Sequence, residues 1–279
     1  MKKVISILSL IFLMVNQTVF SQYKEFEVTV QGKGAPILLI PGFTCTAAVW
    51  DDTVAVLSKN YECHVFTLAG FGEVPAIELP WLLKIKNALI NYIKEKNLDK
   101  PTVIGHSLGG SLALWMASEE EALFRKLIIV DALPSVGALM VPNFDAETIV
   151  YDNPYSNNIL NMDDASFSGM AGQMASFMSL NKEKHGQLKG WILKTDRKTY
   201  VHGYTDLLKL DLREAIAQIN VPVTILAATS PNKEMIIAQY EKQYEKMDQK
   251  KILYADNAAH FIMFDQPDWF ITSVISELQ

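Results

Sequence analysis

Hydrophobic positions along the chain follow two rhythms. Phe26, Val28 and Val30 alternate with Glu27 and Thr29, the period of a half-buried strand, and glycines at 32 and 34 turn the chain back. Later runs are continuous instead: 36–40 (Pro-Ile-Leu-Leu-Ile), 63–68 (Cys-His-Val-Phe-Thr-Leu), 102–104 (Thr-Val-Ile), 126–130 (Lys-Leu-Ile-Ile-Val), 221–226 (Val-Pro-Val-Thr-Ile-Leu) and 251–254 (Lys-Ile-Leu-Tyr). Short apolar runs of this kind suit strands covered on both faces. Helical spacing fills the gaps. Trp50, Val54 and Leu57 share one face, and Leu82, Ile85, Leu89, Tyr92 and Ile93 form a stripe. An Ala/Leu-rich helix follows at 111–117, another passes through Tyr240, and the last opens near Asp265 with Pro267 in its first turn.

Strands alternating with helices predict an α/β fold, a mostly parallel central sheet with helices on both faces. The alternation pauses at Pro134. The stretch 135–211 holds no comparable buried strand: 142–164 is rich in Asn, Asp and Pro, and Met170, Met174, Phe177, Met178 and Leu180 follow, then Trp191. This predicts a helical cap inserted into a core made of 22–134 and 212–279. The methionines and phenylalanines of the cap suit a small core of its own or an acyl pocket, since both need the same residues.

The 279 residues are 49% hydrophobic and 20% charged, an ordinary globular balance with enough chain for one sizeable core. The first residues stand apart from it. Lys2 and Lys3 precede an apolar run at 4–15, and Ser21 is a small residue before Gln22. That is the form of a bacterial secretory signal peptide at 1–21, implying a periplasmic or secreted protein. The run is too short to span a membrane comfortably, so no stable anchor is expected. Losing two lysines and no acid takes the formal charge from −6 to −8. An acidic chain without a basic cluster is a poor partner for nucleic acid or anionic membranes, leaving a small molecule as the expected partner. Cys45 lies just past one strand and Cys63 near the start of the next, at opposite edges of a parallel sheet, so both are expected free. No Cys/His spacing suggests a metal site, and no cofactor is implied.

The chemistry gathers at strand ends, which in a parallel sheet share one edge. Gly105-His106-Ser107-Leu108-Gly109 joins a strand to a helix as a G-x-S-x-G turn. Such a turn holds its central residue in a strained conformation and aims the hydroxyl over a helix N-terminus, a place for a nucleophile. Pro41-Gly42-Phe43 offers backbone N–H groups at the same edge, and His260 lies six residues after the last strand run. Acyl transfer needs a hydroxyl, an imidazole, a carboxylate and oxyanion donors, and all four types are present in the chain order Ser, acid, His.

The sequence resembles the α/β-hydrolase superfamily over essentially the whole chain after the leader. The resemblance rests on Gly105-His-Ser-Leu-Gly-Gly110, Pro41-Gly-Phe43, Gly70-Phe-Gly72 and His260-Phe-Ile-Met-Phe-Asp-Gln-Pro267. It implies an α/β-hydrolase fold, Ser107 as nucleophile, His260 as general base, the N–H groups of Phe43 and Leu108 as oxyanion hole, and the insertion from Ser135 as lid. Two departures stand out. Position 67, often Asp in the family, is Thr67. The strand at 221–226, usually followed by the catalytic acid, runs into 227–233 (Ala-Ala-Thr-Ser-Pro-Asn-Lys) without a carboxylate.

Asp131 follows Val130 directly, at the end of the strand after the nucleophile's, where certain haloalkane dehalogenases carry their acid. It is the preferred acid; Glu234, already inside a helix, and an acid-free dyad are the alternatives. His106 is read as a turn residue packed beside the elbow, and His64, His185 and His202 as surface or structural. The expected activity is cleavage of a small apolar ester, thioester or amide through an acyl-enzyme on Ser107. C–C bond hydrolysis or another reaction on the same fold is one alternative. A binding protein that has lost catalysis is the other. For export, the expected result is that protein recovered from its host begins at Gln22 or within a residue or two. N-terminal sequencing that returns Met1 would overturn this.

Overall fold

A computed structural model describes residues 23–141 and 143–279; the expected leader at 1–21 and its cleavage point before Gln22 lie outside the described residues. The apolar runs become β1 (Phe26–Gln31), β2 (Ala35–Ile40), β3 (Tyr61–Leu68), β4 (Thr102–His106), β5 (Lys126–Val130), β6 (Val223–Ala228) and β7 (Lys250–Ala255). They form one seven-stranded sheet in the order β1-β3-β2-β4-β5-β6-β7. The alternating run β1 lies antiparallel on β3 at one edge, and every other pair is parallel. The difference follows burial: β1 buries Phe26 but exposes Glu27, Thr29, Val30 and Gln31, whereas β4 and β6 are buried throughout.

Helices cover both faces. In chain order α1 (Asp51–Leu57) follows β2, α2 (Trp81–Glu95) follows β3 and α3 (Leu108–Glu120) follows β4. Between β5 and β6 come α4 (Gly137–Met140), α5 (Pro154–Leu160), α6 (Asp164–Met178), α7 (His185–Lys194) and α8 (Arg197–Lys209). Then α9 (Lys233–Gln243) follows β6, and α10 (Ile262–Asp265) and α11 (Pro267–Leu278) follow β7. Successive strand residues feed opposite cores. Leu38, Val103, Leu127 and Val223 share one register row and pack with α2, α3 and α9. Leu39, Ile104 and Ile128 in the next row pack with α1 and α11, through Trp50, Val54, Phe270 and Val274.

The structure extends most of the runs by a residue or two, β3 back to Tyr61 and β4 on to His106 among them, and trims the start of one. β6 begins at Val223 and not at Val221, because Pro222 has no N–H to give the ladder, although its carbonyl still accepts from Leu127 (3.0 Å). At position 67, Thr67 Oγ1 accepts the Ala47 N–H (2.8 Å) and so holds the turn before α1. Cys45 and Cys63 are free and buried. Cys63 sits level with Ile37 early in β2, while Cys45 lies beyond that strand's other end.

The helical insertion leaves and rejoins the sheet at one point, where the Leu212 N–H donates to the Pro134 carbonyl (3.0 Å). Its Asn- and Asp-rich stretch turns out to be cap residues. Asn153 accepts from Ser156 N–H and Asp163 from Ser166 N–H, opening α5 and α6; Asp196 does the same for α8 through Thr199. Ile159, Phe167, Ala171, Ile192, Tyr200 and Val201 form a separate small core within it. Leu39, fully buried in β2 between β3 and β4, is the position to test the sheet. Leu39→Ala is expected to cost about 2–5 kcal/mol, lowering the denaturant midpoint without changing the slope. A loss below about 1 kcal/mol would mean the two cores relax into the gap.

Candidate active site

β4 runs into α3 with a single residue between them. That residue, Ser107, takes φ 52° and ψ −117°, a left-handed conformation that side-chain-bearing residues avoid. Its N–H donates to the Val130 carbonyl (2.8 Å), pinning the turn to the end of β5. The neighbouring glycines are demanded by close approach. A Cβ on Gly105 would lie 2.3 Å from the Gly109 carbonyl oxygen, and one on Gly109 would lie 2.2 Å from that of Ile40. With no room for side chains, helix and strand meet directly under the hydroxyl.

Asp131, the next residue after β5, is also left-handed at φ 46°, and its N–H donates to the Leu226 carbonyl (2.8 Å). The turn points its carboxylate at three partners. Oδ2 lies 2.7 Å from His260 Nδ1. Oδ1 accepts the Ala228 N–H (2.9 Å) and the Tyr240 hydroxyl (2.8 Å). Burial first, and then the Asp131 charge, push the Tyr240 phenol well above its usual range, so it stays a donor. A carboxylate on Nδ1 sets that nitrogen as the protonated one and leaves Nε2 as an acceptor.

His260 is fixed from behind as well. His106, fully buried in the last position of β4, places Nε2 2.9 Å from the His260 carbonyl, so that nitrogen carries its proton. Burial, then the neighbouring His260, hold His106 far below the usual imidazole range, and it stays neutral. Asp265 completes the loop: Oδ2 accepts the Ala259 N–H (2.8 Å), and Oδ1 accepts Ser179 Oγ–H (2.6 Å) and the N–H groups of Leu180 and Asn181 just past α6. The Phe261 N–H also donates to the Met178 carbonyl (3.1 Å). The histidine loop and the helical insertion are therefore one bonded unit.

Phe43 follows β2 and turns its ring into Phe71, Trp81, Tyr200 and Tyr204, a second tie between sheet edge and insertion. Leu108 opens α3 and is fully buried. Ser107, Asp131, His260 and Phe43 all line one cavity of about 540 Å³. Its far wall is the insertion, through Met174, Met178, Ile192, Tyr200, Tyr204 and others. The cap residues thus serve both purposes left open by the sequence: Phe167 and Ala171 are core, Met174 and Met178 are wall.

The other candidates fall elsewhere. Glu234 is exposed in the first turn of α9 and lines no part of the cavity. His64 is buried between Tyr92 and Glu62, His185 reaches the Ser179 carbonyl, and His202 meets the Tyr151 ring edge to face. Burial pushes the Cys63 thiol up to about 11 and the Cys45 thiol higher still, so neither is a thiolate. Among the described residues no group of three or more His, Cys, Asp or Glu is placed to hold a metal, and no helix is long and apolar enough to cross a membrane. Tyr240 and Asp265 were missed by sequence reasoning. The signals were there: a tyrosine in the helix after the acid-free strand end, and an acid inside the histidine loop motif.

The model of the Alpha/beta hydrolase family matches residues 37–272. A 3-oxoadipate enol-lactonase 1 from Acinetobacter baylyi is 23% identical over 262 residues, covering 90% of this chain and 91% of its own. A pimeloyl-[acyl-carrier protein] methyl ester esterase from Legionella pneumophila is 28% identical over 254 residues, covering 86% and 94%. Among solved structures, the enol-lactonase from Burkholderia xenovorans LB400 superposes with a TM-score of 0.76 at 16% identity, over 91% of this chain and 96% of that one. The esterase EaEST from Exiguobacterium antarcticum gives 0.76 at 15%, over 90% and 94%.

The elbow yields a stability test. Gly109→Ala is expected to lower the melting temperature by several degrees or prevent folding, because the obstructing atom is backbone. Gly169→Ala, in α6 with open space around it, should melt at the same temperature or slightly higher. Equal melting of the two variants would show that β2 and α3 can move apart.

Proposed function

The chain belongs to the alpha/beta hydrolase family, and from that premise we propose that it is a serine hydrolase cleaving a small, apolar carboxylic ester through an acyl-enzyme on Ser107. The observation that carries this reading is the 2.7 Å contact between His260 Nδ1 and Asp131 Oδ2, in a cavity that Ser107 also lines. The relatives support the bond type: their names are those of a lactonase and of methyl ester esterases.

In this mechanism His260 Nε2 takes the Ser107 proton as Oγ attacks the ester carbonyl. The imidazolium formed is stabilised by the Asp131 carboxylate across Nδ1. The oxyanion is met by the N–H groups of Phe43 and Leu108, the latter at the N-terminus of α3, where the helix dipole favours negative charge. The C–O bond breaks, the alcohol leaves with the proton from His260, and an acyl-Ser107 ester remains. Water, deprotonated by His260, attacks that ester, and the acid departs as Ser107 Oγ regains its proton. The helical insertion would act as the lid of the site, excluding bulk water and admitting the substrate. Export remains part of the proposal, supported by the leader sequence.

Replacing each candidate acid separates the alternatives. Ser107→Ala is expected to abolish labelling by a fluorophosphonate probe. Asp131→Asn should cut turnover of a model ester by about ten-thousandfold, as loss of the triad acid does in serine proteases, with the fold intact by circular dichroism. Glu234→Gln should leave turnover unchanged. A collapse with Glu234→Gln and near-normal turnover with Asp131→Asn would overturn the assignment. Labelling of Ser107→Ala equal to wild type would overturn the hydrolase reading itself.

A further inference from the structure

The cavity wall carries an uneven set of polar groups. Among the described residues lining it there is no lysine and no arginine, and the one carboxylate, Asp131, is already engaged by His260, Ala228 and Tyr240. Apart from His106 and His260, the remaining polar side chains are hydroxyls and one amide, Gln239. Three of them are tyrosines from the insertion: Tyr155 on α5, and Tyr200 and Tyr204 one turn apart on α8. Phe43 packs against the rings of both α8 tyrosines, at 5.8 Å each, which places this cluster on the cap side, over the turn after β2.

The cluster holds few acceptors of its own: the Tyr155 hydroxyl, which accepts from Tyr200, and a thioether. Tyr200 is only 3% exposed, and its hydroxyl is 3.0 Å from Met174 Sδ, a thioether that accepts weakly. Burial raises all three phenols; the nearness of Tyr155 adds to the effect on Tyr200 and Tyr204, while the hydrogen bond from Tyr200 tempers it for the half-exposed Tyr155. They stay neutral donors at any working pH. A phenol donor in an apolar wall rewards a neutral oxygen, which can take its hydrogen bond at a small desolvation cost. A carboxylate would have to shed its water with no cation to meet it, a much larger penalty.

We infer that this cavity selects esters whose acyl chain is uncharged and carries a hydrogen-bond-accepting oxygen, read by Tyr155, Tyr200 and Tyr204, and that it rejects chains ending in a carboxylate. The inference rests on the ester-hydrolase reading above and narrows it. The distinction bears on the relatives, because similarity at 23–28% identity to an enol-lactonase or a pimeloyl ester esterase does not by itself transfer a substrate to this pocket.

Three methyl esters of equal chain length, ending in a methyl, a methyl ketone and a carboxylate, test the idea on the wild-type protein. The ketone ester is expected to have the highest kcat/KM. The carboxylate ester should fall below the methyl-ended one by on the order of a hundredfold. In Tyr200→Phe and Tyr204→Phe the ratio of ketone to methyl-ended ester should drop about tenfold, the worth of one good hydrogen bond. A ratio does not depend on how much of a variant folds. Carboxylate turnover equal to that of the methyl-ended ester would overturn the charge selection, and unchanged ratios in both variants would overturn the tyrosine readout. If none of the three esters is cleaved but the fluorophosphonate still labels Ser107, the substrate class is wrong while the hydrolase reading stands. If labelling fails as well, both fall.

Discussion

The site depends on one carboxylate shared among three donors. Asp131 sits at the end of β5, yet its oxygens are held by β6 through the Ala228 N–H, by α9 through Tyr240 and by the loop after β7 through His260. An isolated carboxylate in such a half-buried position would be costly; with three charge-assisted hydrogen bonds it is a junction. The positive φ of Asp131 is the local strain that lets the side chain reach all three at once, and the bonds on both oxygens hold that conformation in place.

A second constraint is steric and belongs to the elbow. β4, α3 and β2 approach so closely that Gly105 and Gly109 can carry no side chain, and Ser107 must take a left-handed backbone. Because the Ser107 N–H is bonded to Val130, the last residue of β5, elbow and acid are set by adjacent residues of one strand end. His106 extends the same framework to the histidine, bonding the His260 carbonyl from the last position of β4. Ser107, Asp131 and His260 are thus tied into one framework through their backbones.

Much of this was legible in the sequence, for identifiable reasons. The strands were readable because parallel strands buried on both faces are continuous apolar runs, and the G-x-S-x-G motif because its glycines answer a steric demand that does not vary. Asp131 could be preferred over Glu234 because strand ends share one edge, and the structure indeed brings Asp131, not Glu234, to His260. The insertion was less legible. Its helix starts are set by single cap residues such as Asn153 and Asp163, and the apolar residues divide between an internal core and the cavity wall. No periodicity distinguishes those two destinations, since both faces are apolar. Tyr240 was hidden for a different reason: a tyrosine on an amphipathic helix looks like core until its hydroxyl has a partner in three dimensions.

With Asp131 at the end of β5 as the proposed acid, the end of β6 is left to other work. Where a carboxylate would otherwise stand, the chain reads Thr229-Ser-Pro-Asn232, and the side chains of Thr229 and Asn232 do structural work. Thr229 Oγ1 donates to the Ala255 carbonyl at the end of β7 (2.9 Å), and Asn232 caps α9 by accepting the Met235 N–H (3.1 Å). Capping α9 fixes the helix that carries Tyr240 to Asp131 and Tyr244 to the Ala132 carbonyl (2.8 Å). Ser230 joins the cavity lining as a neutral group. The departure from the common arrangement is therefore not a local substitution. It is matched by the helix cap, by the buried tyrosine and by the left-handed turn at Asp131, and these features are consistent only when taken together.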